Sequence, residues 1–482
     1  MLVVAIQSGP NSLDPRVGLD DSSQKLHQLI FDNLMELDDH MRVRPRLAER
    51  LDHPTPTTYV VTIKRGVLFH DGHELTSADV VYTFRSFLDP DFISPRKGGY
   101  RELRSVEASD RYTVVFTLKQ PFTSFPINLV MPIVPDGAGA TLATRPTGTG
   151  PYRFVRYAVD DRVELQAFDQ YFGGRPHNDG LLLKVIPDDI MRGLELRKGT
   201  TDIVVNDLTP DIAHQLEADE RLQQVQAPGV DYQYLGLNLR DPVLKDVRVR
   251  QALAYAIDRR AIIEYLRRGL ATPAVGLMPP LSWAFAPDAF SFPYDPARAQ
   301  MLLDEAGYGD PDGSGPLPRL RLTLKTSSTL EYNRLQGAVI QQNLRAVGVD
   351  LEVLTSEFAT LFADVLRGNF QVYALQWTAG SLADPDILRR VFHSQQIPPA
   401  GFNRGYFNDP RVDALLDEAT ASADEARRLE LFQEVQRLIA REVPYISLWN
   451  KTNVIVAQKS LTGVQADALG NLFFLKDVAR VR

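Results

Sequence analysis

The chain has 482 residues, 44% of them hydrophobic and 24% charged, which is ordinary globular composition with core enough for about three domains. Lys plus Arg number 53 against 61 Asp plus Glu, a net charge of −8 that argues against a nucleic-acid partner, since such partners demand a basic footprint. There is no cysteine, so disulfide scaffolds, zinc–thiolate sites, iron–sulfur clusters and thiol nucleophiles are excluded.

From the start, "MLVVAIQSGPNSLDP" lacks a basic n-region and a cleavage site, and Met1 reads as an initiator placed before a mature domain, with no signal segment expected in the sequence. No apolar run reaches the roughly 18 residues a membrane helix needs. The longest, "FPINLVMPIV" (125–134), is short and broken by prolines. "TYVVTIK" (58–64) and "RYTVVFTLK" (111–119) alternate as half-buried strands, the second with Tyr112, Val114, Phe116 and Leu118 on one face. Asp246 and Asp258 cap helices, the second ending near Gly269. Asp295–Pro296 and Asp409–Pro410 each give an N-cap followed by a proline in the first turn. "RLTLKT" (321–326) and "VDLEVLTS" (349–356) flank a helical stretch ending at Gly348, a β–α–β unit. Ser422 and Glu425 read as a capping box for the last long helix, which stops before Pro444. Strands and helices interleave throughout without an internal repeat, which predicts an α/β fold. The broad loop "GYGDPDGSGPLP" (307–318) is the clearest break, but no single linker separates sequential domains.

Candidate chemistry is sparse. In "FHDGHE" (69–74) His70 and His73 stand three apart, whereas a helical zinc pair needs i and i+4. Asp71–Gly72 is a strong turn dipeptide, and Thr76 with Asp79 makes a capping box just beyond it. The segment therefore reads as strand, turn and helix, with a metal site as the alternative. "TGTGPY" (147–152) lacks the third glycine of a nucleotide loop, and Pro151 removes a backbone donor, so it too reads as a turn. The pairs Asp38–Asp39 and Asp188–Asp189 are expected to cap or solvate. In "QVYALQWTAGSLADPDILRRVF" (371–392) an apolar strand runs into Trp377 and then a small-residue loop with Gly380 and Ser381. That is how a ligand-cleft wall is built, although a core tryptophan at a strand end would look the same. Tyr232 and Tyr234 in "DYQYLGLNL" (231–239) carry the same ambiguity. Arg404 in "FNRGYF" offers a forked donor for a carboxylate, with a solvated surface arginine as the plainer reading.

The order of segments resembles the extracytoplasmic solute-binding proteins of peptide and nickel ABC transporters, family 5. The matching stretches are "LDP" (13–15), "RPRLAERL" (44–51), "KRGVLFHDGHELTSADVVYTF" (64–84), "GTGPYRF" (148–154) and "YFGGRP" (171–176). They continue with "LGLNLRDPVLKDVRVRQALAYAIDR" (235–259), "YDPARAQMLLDEAGY" (294–308), "WTAGSLADPDI" (377–387) and "FNDPRVDALLDEA" (407–419). The resemblance implies a two-lobed periplasmic-binding-protein type II fold with an extra inserted domain. Lobe one would comprise 1–38, 148–234 and 455–482, the insert 39–147 and lobe two 235–454, with crossings near 232–239 and 449–457. It also implies ligand contacts from Asn11, Ser12 and Leu13, from Tyr232 and Tyr234, and from Trp377, Thr378, Ala379, Gly380, Ser381 and Asp384. Peptide-binding members often carry an aspartate three residues after this tryptophan to hold the peptide ammonium. Gly380 stands there, and Asp384 matches the family's structural "DP" step. A ligand whose positive charge is weak, masked or placed elsewhere is therefore expected.

The function implied is capture of a peptide or peptide-like solute in an interlobe cleft by hinge closure, for the permease subunits of an ABC importer. A monomer in the periplasm or otherwise outside the cytoplasm, held at the membrane through its transporter, would need no cofactor, metal or catalytic residue. Two alternatives remain from the residues alone: a hydrolase or metalloenzyme using His70 and His73, or a sensor module binding a non-peptide solute.

Overall fold

The alternation in "TYVVTIK" becomes the strand Thr58–Ile63, in which every second side chain is buried. It lies inside a four-stranded antiparallel sheet ordered Ala48–Thr55, Thr58–Ile63, Thr113–Leu118, Leu103–Asp110. The computed structural model describes residues 1–313, 315–328, 331–399 and 401–481, and the side chains of Glu331 and Ser381 fall outside that description. Val114, Phe116 and Leu118 point into one core with Val61, Ile63, Phe69 and Phe84, as the alternation predicts.

The chain divides into two compact units, Met1–Ala227 with Asn453–Arg482, and Pro228–Thr452. In the first unit, Leu2–Ile6 runs parallel to both Gly180–Val185 and Ile203–Val205. Antiparallel neighbours extend this sheet: Arg162–Ala167 beside Gly180–Val185, Tyr152–Ala158 beyond it, and Ile455–Ala457 against Ile203–Val205. In the second unit, Leu320–Ser327 and Val349–Ser356 pair in parallel around the helix Glu331–Arg345, the β–α–β unit that the hydrophobic pattern predicts. Val372–Trp377 joins them and pairs antiparallel with the segment Tyr232–Leu237 of the long strand Leu222–Leu237.

Helix starts follow the sequence signals closely. Asp246, Asp258, Asp295 and Asp409 each accept a backbone N–H of the first turn. The helix begun at Asp258 is short, Arg259–Ala261, and continues as a wider turn through Leu266 before Gly269 at φ +76°. Asp188 caps Asp189–Lys198, and Asp38 accepts the N–H groups of His40 and Arg42, so both acidic pairs serve the backbone. One start differs. The helix Glu425–Glu442 is capped by Asp424, whose carboxylate takes the N–H groups of Ala426 and Arg427, and Ser422 instead ends the preceding helix. Two capping residues competed, and the charged acceptor beside the first turn won.

The turn at 69–74 has a clear role inside the first unit. Phe69 N–H donates to His73 O across the turn, and Gly72 sits at φ +94°. His70 N–H donates to Gly148 O at 2.9 Å, its Nδ1 receives Gly148 N–H at 3.3 Å, and its Nε2 lies 3.0 Å from Gly150 O. The two turn motifs singled out in the sequence therefore grip each other. Gly148 and Gly150 are glycine for a reason: a Cβ on either would run into the Ile30 carbonyl or Phe31. Nearby, the buried carboxylate of Asp32 accepts from Arg46 Nη2 (2.9 Å), Tyr171 hydroxyl (3.0 Å) and Thr149 hydroxyl (3.0 Å).

His27 is held the same way, its Nε2 3.0 Å from Ser12 O beneath the loop 11–14. Burial presses both imidazoles down to about 4, from the ordinary 6.5. The sign follows: the unfolded chain takes up protons first as pH falls, so folding weakens from about pH 6.5 to about pH 4 and the loss then levels off. Each histidine is worth at most about 3 kcal/mol across that window. Urea unfolding at steps from pH 7 to pH 4 should show a shallower decline for His70→Gln, which keeps a donor toward Gly150 O but cannot titrate.

Candidate functional site

Within the second unit, one face of the paired strands Tyr232–Leu237 and Val372–Trp377 gathers an unusual set of side chains. Cross-strand partners share a face, so the register Tyr232↔Trp377, Tyr234↔Leu375, Gly236↔Tyr373 puts three tyrosines and the tryptophan together. Gly236 makes this possible, because the Tyr373 ring lies across the place where its Cβ would be. Tyr232 and Tyr234 stack at 5.5 Å, and Tyr445 stacks on Tyr234 at 4.1 Å.

A loop brings a cation onto this face. Buried Asn403 donates to the carbonyls of His393 (3.1 Å) and Phe407 (2.7 Å) and accepts Phe407 N–H, which fixes the loop's shape. Gly405 then approaches so closely that a Cβ would sit 2.6 Å from Leu237 O, and its carbonyl takes Leu239 N–H at 2.9 Å. Arg404, between them, is pressed inward and only 7% exposed. Its guanidinium carbon stands 5.1 Å from the ring centres of Trp377 and of Phe362, and 5.6 Å from that of Phe402. Burial works to lower its pKa, but the phenols of Tyr234, Tyr373 and Tyr445 outweigh it, and Arg404 stays a cation. No acidic side chain contributes to that balance. The Nε of Arg404, the Nε1 of Trp377 and the hydroxyl of Tyr234 are buried without a hydrogen-bond partner among the described residues.

The profile of the bacterial extracellular solute-binding proteins, family 5 Middle, matches residues 42–399. The chain belongs to this family. The glutathione-binding protein GsiB of Salmonella choleraesuis (strain SC-B67) is 30% identical over 477 residues, covering 96% of this chain and 91% of that protein. Among solved structures, the oligopeptide-binding protein AppA from Bacillus subtilis, in complex with a nonapeptide, has a TM-score of 0.81 at 27% identity, covering 100% of this chain and 99% of its own. NikZ from Campylobacter jejuni, in complex with Ni(L-His), has a TM-score of 0.82 at 25% identity and covers 99% of each chain. The fold is thus the two-lobed α/β periplasmic-binding-protein type that the ordered motifs implied, and the chain is a substrate-binding protein of the ABC-transporter kind.

For a family 5 protein, several expected contacts sit deeper than the sequence suggested. Tyr232 and Tyr234 are 1% and 0% exposed, so the alternation there reports core packing. Tyr232 hydroxyl is taken up by Ser447 at 2.7 Å, in the wall of a cavity of about 670 Å³ that Tyr445, Phe285 and Phe292 also line. Trp377 is 7% exposed and packs on Phe402. Arg404 is no solvated surface arginine, because three aromatic rings from three separate segments enclose it. Asp384 accepts Asp386 N–H at 2.8 Å and shapes its own loop. Thr378 and Gly380 are exposed, Ala379 is half-buried, and the side chain of Ser381 lies outside the described residues. Asn11 is exposed, Ser12 half-buried and Leu13 buried, all in the first unit, where Ser12 N–H donates to the Ser23 hydroxyl.

One residue escaped the sequence reading. Asp231 Oδ1 accepts Ala379 N–H at 2.9 Å, placing a carboxylate behind the turn that carries Gly380. A carboxylate therefore stands near the glycine that occupies the position where peptide-binding members often carry an aspartate. Its carboxylate comes from the neighbouring strand, one residue beyond the pair Tyr232↔Trp377. Strand register was the only signal that could have found it. Among the described residues no cluster of three or more His, Cys, Asp or Glu is arranged to hold a metal, and both ring nitrogens of His70 face the backbone of 148–150.

The close fit of Tyr373 over Gly236 gives a direct check. Gly236→Ala forces the ring aside and should cost about 1–3 kcal/mol in urea unfolding, the usual range for overpacking. Gly276→Ala, whose Cβ would meet open space, should stay within about 0.5 kcal/mol of the wild type.

Proposed function

We propose that the chain captures a peptide or peptide-like solute in a cleft between its two lobes and presents it to the permease subunits of an ABC importer outside the cytoplasm. The lobes are assigned as 1–38, 148–234 and 455–482 for the first and 235–454 for the second, with 39–147 inserted in the first. Capture proceeds by rotation of one lobe toward the other. The role is binding, not catalysis, and a monomer suffices for it.

One observation carries the peptide reading: the exposed turn Thr378–Gly380 with Asp231 bonded behind it. Backbone that is open at Gly380 can meet a peptide main chain, and a carboxylate at its back gives a free ammonium the counter-charge that burial requires. The relatives support the class, being named for glutathione and for oligopeptides. The histidines of the 69–74 turn weigh against a metalloenzyme, since His70 is spent on the backbone and His73 Nδ1 on Asp71 at 2.6 Å.

Native mass spectrometry of the protein as purified should reveal a bound mass in the range of short peptides. Calorimetry with matched free and N-acetylated peptides, reduced glutathione among the free ones, should favour the free ammonium by tenfold or more, about 1.4 kcal/mol. Equal affinity for both forms would remove Asp231 from the site. Small-angle scattering should give a smaller radius at saturation with the tightest of these ligands, and an unchanged profile would refute lobe closure.

A further inference from the structure

The cavity of about 670 Å³ beside Tyr232 is lined wholly by residues of the second unit. Small-molecule sites typically measure about 300–1,000 Å³, so it is large enough to hold a ligand. Much of its wall is hydrocarbon: Ile439 and Ala440 of the helix Glu425–Glu442, Val275 and Leu277, and the rings of Phe285 and Phe292. All of these but Leu277 are only half-buried, because open space lies against them where a core would supply another side chain.

The polar side chains of the wall are turned to the protein itself. Tyr232 hydroxyl lies 2.7 Å from Ser447 hydroxyl, which donates to Val275 O at 3.3 Å. The Gln436 amide donates to the carbonyls of Ala284 (2.7 Å) and Phe432 (2.9 Å) and accepts Ala286 N–H at 3.2 Å. Arg259 donates to the carbonyls of Ser447, Ala254 and Phe292. The charged residues that line the cavity are Asp258, Arg259, Arg260 and Glu264, two of each sign. Such a balance favours neither an anion nor a cation, and water finds few partners against the hydrocarbon.

Three aromatic residues of the lining reach solvent. Tyr265 is 68% exposed, and Phe290 and Tyr294 are 45% exposed each. Tyr265 is carried on the wide turn Ile262–Leu266, a departure from α-helix that recurs at functional sites. Phe290 meets Phe292 edge to face at 4.9 Å, and Phe292 meets Tyr255 in the same way at 5.0 Å. Rings thus lead from the surface into the unit. Exposed aromatic groups forgo the gain of burial, and beside an apolar cavity they offer that gain to a ligand.

We propose that this cavity is a binding site for an uncharged, hydrocarbon-rich group, aromatic or branched aliphatic. It needs only the second unit, so it goes beyond the solute-capture reading and stands whether or not two lobes close on a peptide. Such a group arrives either as a free small molecule or as a side chain of a captured peptide. The chemistry is the same for both.

The test titrates the full chain with indole, an uncharged bicyclic aromatic, and with glycerol as the polar control. Calorimetry should show saturable indole binding with a negative heat-capacity change, the mark of apolar burial. The thermal midpoint should rise by about 1–3 °C with indole and stay unchanged with glycerol at equal concentration. Gly276 lines the cavity, and no atom stands within 4 Å of where its Cβ would be. Gly276→Leu should therefore fill part of the space and weaken indole at least tenfold. Should that variant fail to fold, Ala440→Leu carries the test from the opposite element.

Trialanine or Ala-Phe-Ala, added first at saturation, tells the two sources apart. Competition by the phenylalanine peptide alone assigns the cavity to a side chain of the captured solute. Indole binding that neither peptide disturbs assigns it to a free small molecule. Equal competition by both puts indole where a peptide backbone lies and overturns the assignment. So does an absent or glycerol-like indole signal, or an affinity that the filled variants leave unchanged. A protein that binds indole and no peptide sinks only the capture reading.

Discussion

Every covalent path between the two units runs through two long strands, Leu222–Leu237 and Tyr445–Gln458, which contain the divisions at 227–228 and 452–453. That constraint governs much else. Because the chain leaves the first unit in one strand and returns to it in another, the second unit is one continuous piece of sequence and the first is completed by the C-terminal residues. It is also why no Pro/Gly-rich linker marks the boundary. A strand already satisfies its own backbone by pairing, so the chain can pass from one unit to the next without a loop. The site residues inherit their positions from this arrangement, since Tyr232, Tyr234 and Gly236 follow the first passage and Tyr445 and Ser447 precede the second.

From those strands the candidate site follows by steps of simple sterics. Glycine at 236 lets Tyr373 lie flat across the sheet, and glycine at 405 lets the 403–407 loop come down onto Leu237. Between two close approaches there is room for one long side chain, and Arg404 takes it. Neither glycine needs an unusual φ; each is there because another group occupies the volume of a Cβ. Two missing methyl groups thus place a charge where a hydrophobic residue would be the ordinary choice.

Much of the fold was legible from local rules, and the site was not. The caps at Asp246, Asp295 and Asp409, the β–α–β unit around Glu331–Arg345 and the alternating strands were all readable, because each depends on neighbours within a few residues. The exception, Asp424 in place of the Ser422 box, shows the limit even of local rules where two caps compete. Burial of Arg404 depends on Phe362, Trp377 and Phe402, and Asp231 reaches Ala379 across 148 positions of sequence. Nothing in a window around either residue carries that information. Tyr232 and Tyr234 show another limit: their alternation is real, but alternation reports a buried face without saying whether core or ligand covers it.

Asp231 and Arg404 differ in how they are held. Asp231 is tethered through a backbone N–H at the back of an exposed turn, so water and its protein partner already temper its charge. A group meeting it gains a modest, screened attraction. Arg404 lies among aromatic rings with its Nε unbonded, so any anion that reaches it meets a nearly unscreened charge. The two charges thus differ in kind: one is set in an open turn and already bonded to the backbone, the other is sealed among rings whose faces alone offset the loss of water.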